Sequence, residues 1–546
     1  MAQTCDNALQ SSIAACINAA FAGPLHAIAP ENAPANTASE RRSFARNFGS
    51  IVPSPSLEQL LQQSFGYSSF RGFQRAVIER TLAGGHSLVI MPTGGGKSLC
   101  FQIPALATQA SPASQDPRAP LTVVLSPLVA LMKDQTDALR ARGIDAITIH
   151  SLIESEQRTA RMQALSSGRH AMVYVAPERF RKPQFLEAIA HRRVQLLAVD
   201  EAHCISEWGH DFRPDYSRVG EIRRTLGNPT TIALTATATV EVQQDILRQL
   251  ELPAFGSSLD TLQIFHAGIA RPNLELLVST VWDRNDKLSH ILSAVERWKP
   301  TSSGIVYFTL IRSLEAMSDE LRKNGIEHVV YHGDLPRADR VRVQERFMRG
   351  KSPLVLATNA FGMGVDKEDI RFVIHAEVPG SMESYYQEIG RAGRDGQPAE
   401  CRLLYDQDDL MTQMEFLQWS NPDAAFMQEL AHVLEEQRDS VVAFGMDWLR
   451  KRLCHPKRPD HRLETALALF ERHDVIASTD DCLNMRVERP LPEILIDSQH
   501  REEKLRRDQQ RLYAIVEYVQ SDDRRLFLES YFRAADHEDE EDHDAN

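Results

Sequence analysis

A short apolar strand, Ser87 to Ile90, runs into Met91-Pro92-Thr93-Gly94-Gly95-Gly96-Lys97-Ser98 and then into a helical pattern. Three glycines let successive backbone N–H groups crowd around phosphate oxygens without Cβ clashes. The N-terminus of the following helix adds favourable partial charge at the same place. In a phosphate loop of this kind the lysine reaches the outer phosphates and the hydroxyl ligates magnesium. Those roles fall to Lys97 and Ser98, with Thr93, Gly94, Gly95 and Gly96 as the cradle. The first position of the strict pattern is Met91 rather than glycine. A strand–loop–helix of this type belongs in an α/β sheet, where ligands bind at the carboxyl ends of parallel strands.

A second strand end carries complementary chemistry. Val194 to Val199 is an apolar run long enough for one buried parallel strand, and Asp200 and Glu201 follow it. On an extended segment adjacent side chains point to opposite sides. One carboxylate, Asp200, is then placed to hold Mg2+ while the other, Glu201, polarises a water, as nucleotide hydrolysis requires. Trp208, His210, Phe212, Arg213 and Tyr216 come next. Bases stack on aromatics for roughly 1–3 kcal/mol each, and arginine pairs with phosphate. The plainer alternative is a solvated strand end followed by core aromatics.

Composition sets the bounds. The chain has 546 residues, room for about three domains at roughly 150 residues each. No run of about 20 apolar residues is present to span a membrane. Its seven cysteines are scattered without a Cys-x-x-Cys pair, which suits a reducing compartment and argues against a disulfide scaffold. The net charge is −14, but seven acids and no Lys or Arg fall in residues 534–546. A nucleic-acid motor needs a basic track rather than a basic protein, so this balance neither supports nor excludes such a partner. Residues 1–52 are rich in Ala, Asn, Ser and Pro and lack the basic start and apolar core of a secretory signal. They read as a disordered arm, and residues 533–546 as an acidic disordered tail. A cytoplasmic location is expected, nucleoid-associated if the source is bacterial.

The wording around the acid pair is particular. Asp200-Glu201-Ala202-His203 followed by Cys-Ile-Ser-Glu-Trp-Gly-His-Asp-Phe-Arg-Pro resembles the RecQ family of superfamily 2 DNA helicases, with Glu207 where that family usually has glutamine. The resemblance continues along the chain. Tyr67, Arg71 and Gln74 lie in a segment similar to the family's adenine-recognising motif, although Gly72-Phe73 replaces the usual Pro-Gly. It implies Tyr67 stacking on the base with Arg71 and Gln74 beside it; an amide offers the donor and acceptor that an adenine edge needs. Ser126-Pro127 and Pro177-Glu178-Arg179 resemble strand-end motifs on the DNA track, and Thr235-Ala236-Thr237 the motif that couples nucleotide state to strand position. The resemblance implies DNA contacts at Trp208, Phe212, Arg213, Ser126 and Pro127.

A second strand–helix series begins near Arg271-Pro272-Asn273-Leu274. Thr358 to Lys367 resembles motif V, implying Gly364 and Asp366 at the nucleotide. Tyr385 to Gly396 resembles motif VI. If that stretch is helical, Arg391 and Arg394 share one face. Alone they read as a salt-bridged surface; beside a phosphate loop they resemble arginine fingers, worth ~10³–10⁵ in rate. The expected fold is α/β: two tandem RecA-like (P-loop) domains, residues 53–262 and 263–408, with a mainly helical accessory region, residues 409–532.

That last region resembles the family only in part. Ala424 to Gln437, Gly445 to Leu453 and Arg462 to His473 read as helices, and Val475 to Ala477 and Leu483 to Val487 as a hairpin. This is the order of a winged helix; a generic helical adaptor is the alternative. Ser498 to Val519 and Leu526 to Phe532 resemble the helical hairpin of the family's zinc module, with Val519 and Asp523 where thiolates would stand. No structural zinc is expected, and the hairpin would be held by apolar packing alone. The sequence thus reads as an ATP- and Mg2+-dependent 3′-to-5′ DNA helicase of repair or recombination. Single-stranded and duplex DNA are its expected partners; protein partners are unreadable. The rivals are a nucleotide-gated DNA clamp that unwinds nothing and an RNA helicase.

Overall fold

The computed structural model describes residues 55–533, apart from 93, 110–119, 128, 151–152, 207–215, 217, 253–260, 299–302, 363–364, 366, 455–459 and 478–484. The N-terminal arm, the acidic tail, Thr93, Trp208, Phe212, Arg213, Gly364 and Asp366 lie outside the described residues.

Seven parallel strands build the first sheet: β1 His86–Ile90, β2 Pro120–Leu125, β3 Ala146–Ile149, β4 Met172–Val175, β5 Arg193–Val199, β6 Thr230–Thr235 and β7 Leu262–His266. Their order is β3-β4-β2-β5-β6-β1-β7. Every residue of β2 is buried, as expected for a strand covered by helices on both faces. Two apolar layers flank the sheet, one holding Leu121, Val123 and Leu197, the other Val124, Ala198 and Phe101. The helix Leu57–Phe65 opens this domain on a capping box between Ser56 and Gln59 and closes at Gly66 (φ 79°). Strand β7 pairs with β1 along its whole length, so the sheet extends past residue 262.

Six more parallel strands form the second sheet: β8 Leu274–Thr280, β9 Ser303–Tyr307, β10 Val329–Tyr331, β11 Leu354–Ala357, β12 Ile370–His375 and β13 Ala399–Tyr405. The order is β10-β11-β9-β12-β13-β8. Strand β13 carries a glutamate and an arginine in its middle, which hides it in the sequence. Glu400, 2% exposed, is balanced by Arg402 at 2.8 Å and Arg297 at 3.0 Å.

The accessory region divides. The helices Ala424–Glu436, Arg438–Leu453 and Arg462–Arg472 enclose a separate core around Phe426, Leu430, Leu449, Leu467 and Phe470. Gly445 (φ 68°, ψ −160°) breaks the second of these helices where the sequence suggested a new start. The expected hairpin reduces to an antiparallel bridge between Ile476 and Val487, with 478–484 outside the described residues. The helices Ser498–Gln520 and Arg524–Arg533 return to the second domain, where Leu512, Ile515, Tyr518, Leu528 and Phe532 join its core.

The hairpin therefore does not stand on its own apolar packing: it packs on the second domain. Leu526, one of the apolar residues expected to hold the hairpin together, is instead 62% exposed. Asp523 caps the last helix, its Oδ1 accepting from Arg525 N and Leu526 N, both at 3.0 Å. Among the described residues no helix is long and apolar enough to cross a membrane.

Candidate active site

Because every strand of the first sheet is parallel, all carboxyl ends lie on one edge. Four adjacent strands, β2-β5-β6-β1, deliver Ser126, Asp200, Thr235 and the phosphate loop to that edge. Hydrogen bonds tie the loops together: Asp200 N donates to Leu125 O at 2.9 Å, and Met91 N to Thr235 O at 3.0 Å.

In the phosphate loop Gly94 and Gly96 adopt φ of 82° and 80°, a region that disfavours any side chain. A Cβ on Gly96 would also come within 2.5 Å of Gln74 Nε2. That amide is fully engaged. Its Nε2 donates to Gly95 O (3.0 Å) and Gly96 O (3.2 Å), and its Oε1 accepts from Arg71 N (2.8 Å). The residue expected to read a base thus clasps the phosphate loop here, while Tyr67 stands 47% exposed on the preceding turn. Lys97 Nζ donates to Met91 O at 3.1 Å, inside the loop.

Asp200 is 4% exposed. Burial, then the neighbouring Glu201, push its carboxyl well above the usual range, against Lys97, the Glu201 amide and a hydrogen bond from Gln135. A buried Asp200 beside Glu201 and Lys97 fits a divalent cation, whose charge would relieve the repulsion between the two carboxylates. The extended geometry expected for the pair does not hold. Glu201 sits at φ 50°, ψ 49°, a left-handed conformation uncommon outside glycine, and leads into the 3₁₀ turn Ala202–Ile205. That turn, rather than strand alternation, separates the two carboxylates. Glu201 Oε2 is buried with no hydrogen-bond donor among the described residues, and His203 Nδ1 faces it at 3.5 Å.

His203 Nδ1 also lies 3.0 Å from Thr235 Oγ1, whose own proton goes to Thr237 O at 2.8 Å. A hydroxyl has one proton, so Nδ1 must be the donor. His203 thus links the two elements, hydrogen-bonded to Thr235 of the Thr235-Ala236-Thr237 turn and facing Glu201 of the acid pair at 3.5 Å. The Oγ atoms of Ser126 and Thr237 are buried without a partner among the described residues.

The second domain contributes the arginines, but not from a helix. The helix Met382–Ile389 ends at Gly390, where a tight turn takes over and carries Arg391 and Arg394. They therefore do not share a helical face, and they diverge. Arg391, 4% exposed, donates to Gly362 O and to the Tyr307 hydroxyl within its own domain. Arg394 reaches the phosphate loop: its Cγ and Cδ lie 3.5 and 3.6 Å from where a Cβ on Gly94 would be.

Sequence reasoning missed the residues holding that turn. Arg271 donates to Gly390 O (3.4 Å), Ala392 O (2.9 Å) and Gly393 O (2.9 Å), and Asn273 Nδ2 to Gly393 O (2.8 Å) and Gln397 O (3.0 Å). Their one signal was the polar Arg-Pro-Asn opening β8. Gln135, on the helix Val129–Ala141, is a further residue at the site, hydrogen-bonded to Asp200.

Residues 71–246 match the DEAD/DEAH box helicase family, and residues 283–396 the helicase conserved C-terminal domain. The chain is 35% identical to the probable ATP-dependent DNA helicase RecS of Bacillus subtilis over 450 residues, covering 78% of this chain and 86% of that protein. It is 40% identical to the ATP-dependent DNA helicase RecQ of Haemophilus influenzae over 385 residues, 70% of this chain but only 59% of that longer protein. Among solved structures, S. cerevisiae Dbp5 bound to RNA and ADP BeF3 superposes with a TM-score of 0.51 at 16% identity, over 66% of this chain and 91% of that one. The helicase MrfA bound to DNA gives 0.52 at 19%, over 64% and 51%. At such identities the structural likeness speaks for the two-domain fold alone. The sequence relatives carry the assignment further: this chain belongs to the RecQ family of ATP-dependent DNA helicases.

Proposed function

We propose that the chain couples ATP hydrolysis to 3′-to-5′ movement along single-stranded DNA and so unwinds duplex DNA. The observation that supports this best is Arg394 of the second domain lying against Gly94 of the phosphate loop. One cleft thereby holds a phosphate cradle, an acid pair and an arginine from the opposite domain. In this reading Lys97 and Arg394 stabilise charge developing on the outer phosphates, with Arg391 ordering motif V beside them. Glu201 orients and deprotonates the attacking water. Ser98 and Asp200 hold Mg2+, which neutralises phosphate charge when bound. Tyr67, Arg71 and Gln74 take the base, Gln74 exchanging its bonds to Gly95 and Gly96 for bonds to adenine. Closure and reopening of the two domains then moves the DNA.

Single-stranded DNA engages Ser126, Pro127 and the Trp208–Arg213 segment, and the middle accessory helices grip duplex as a winged helix does. The hairpin is held without zinc: Asp523 caps its second helix, and Val519 packs on the second domain's core.

A strand-displacement assay on 3′-tailed, 5′-tailed and RNA duplexes, with and without ATP, tests the reading. ATP-dependent displacement of the 3′-tailed DNA duplex is expected. Hydrolysis stimulated by DNA with no displacement on any substrate would make the chain a clamp, and a preference for RNA would overturn the DNA assignment.

A further inference from the structure

The turn that carries Arg391 and Arg394 is clamped by Arg271 and Asn273, and that clamp is itself held from the far end of the chain. Arg525, 254 residues after Arg271, donates from Nη1 to Arg271 O at 3.0 Å and from Nη2 to Pro272 O at 3.1 Å and to Leu274 O. One guanidinium thus spans the backbone from which the Arg271 and Asn273 side chains project. Such a fork of fixed donors fits successive carbonyls where a lysine could serve only one or two. Its neighbours grip the helix leading into the same turn. Tyr531 OH donates to Glu383 at 3.0 Å, and the hydroxyls of Tyr518 and Tyr385 meet at 3.0 Å.

A small open pocket of about 30 Å³ lies at this joint, lined by Ile269, Arg271, Tyr386, Arg525 and Leu528 among others. Apolar packing of Leu528 on the second domain's core and the directed hydrogen bonds of Arg525 hold the two surfaces together.

We infer that Arg525 is a positioning residue for the arginine turn: through Arg271 and Asn273 the C-terminal helix sets how far Arg394 reaches toward the phosphate loop. This rests on the reading of Arg394 as a stabiliser of phosphoryl charge. The final hairpin then acts on hydrolysis as well as on stability. Displacement of a catalytic group by about 1 Å can cost on the order of a hundredfold in rate, so a loosened clamp has a kinetic signature.

The test compares Arg525→Ala, Arg525→Lys, Arg394→Ala and the Arg394→Ala/Arg525→Ala double variant of the full chain. The readouts are DNA-stimulated kcat, KM for ATP, affinity for a fluorescent ATP analogue, and melting temperature. Arg525→Ala is expected to lower kcat roughly ten- to a hundredfold while analogue affinity stays within about threefold, with partial recovery in Arg525→Lys. The double variant should be no slower than Arg394→Ala, because both changes remove one interaction. Should Arg525→Ala not fold, Arg525→Gln, which keeps one amide donor, carries the same comparison.

A lowered melting temperature with kcat within about twofold of the parent would reduce Arg525 to a structural brace, and losses that multiply in the double variant would equally overturn the relay. If Arg394→Ala itself turns over normally, the arginine-finger reading fails and this inference with it. If Arg394→Ala is slow but Arg525→Ala is not, the relay alone is wrong.

Discussion

Thr235→Val isolates the link between the acid pair and the Thr235-Ala236-Thr237 turn. Thr235 is fully buried, and valine matches its shape while deleting one hydroxyl. That hydroxyl donates to Thr237 O at 2.8 Å and accepts from His203 Nδ1 at 3.0 Å and from Thr237 N at 3.3 Å. Each buried group left unpaired costs ~1–3 kcal/mol, but His203 has a second acceptor in Glu201 Oε2 at 3.5 Å. The net loss should then be about 2 kcal/mol, roughly 4–8 °C in the melting temperature of a domain this size.

The kinetic effect follows from where His203 turns. Without Thr235 Oγ1, His203 Nδ1 is left to bond Glu201 Oε2, tying up the carboxylate proposed to orient water, so DNA-stimulated kcat should fall roughly ten- to a hundredfold, the range of general-base contributions. KM for ATP should change less than about threefold, because no phosphate contact is touched. Thr235→Ser keeps the hydroxyl and should restore most of the rate. The assay is steady-state ATPase with saturating single-stranded DNA, alongside a thermal melt. A variant that loses stability but keeps kcat would refute the coupling, as would a defect confined to KM.

Further outcomes are expected. Lys97→Ala should abolish ATP hydrolysis while single-strand affinity, read by fluorescence anisotropy, stays within about threefold; retained DNA-stimulated turnover would displace Lys97 from the phosphates. Trp208→Ala should blunt the stimulation of ATPase by single-stranded DNA, since a stacking aromatic is worth roughly 1–3 kcal/mol per base; normal stimulation would make Trp208 a core aromatic. Protein purified without a histidine tag should carry no stoichiometric zinc, and chelator should leave its melting temperature unchanged. Tightly held zinc that resists dialysis would overturn this, because removing a structural zinc unfolds its module.

The local chemistry of the two strand ends was legible in the chain. An apolar run followed by Gly94–Gly96, Lys97 and Ser98, or by Asp200 and Glu201, needs only neighbouring residues to define its strand and the groups at its end. The same locality explains what was misread. Alternation along an extended segment separated Asp200 from Glu201 in the sequence, whereas the left-handed turn at Glu201 separates them in the structure. Helical spacing put Arg391 and Arg394 on one face, yet the helix stops at Ile389 and the two diverge.

Those outcomes are set by carbonyls and side chains distant in the chain. Arg271 and Asn273 hold the turn from 119 or more positions away, and Arg525 holds them in turn. Strand β13 was hidden because its buried Glu400 is tolerable only beside Arg297 and Arg402. Residue type and spacing determined which groups gather at the edge of the phosphate loop; only the tertiary structure decided which arginine crosses to that loop, because that depends on hydrogen bonds that no periodicity encodes.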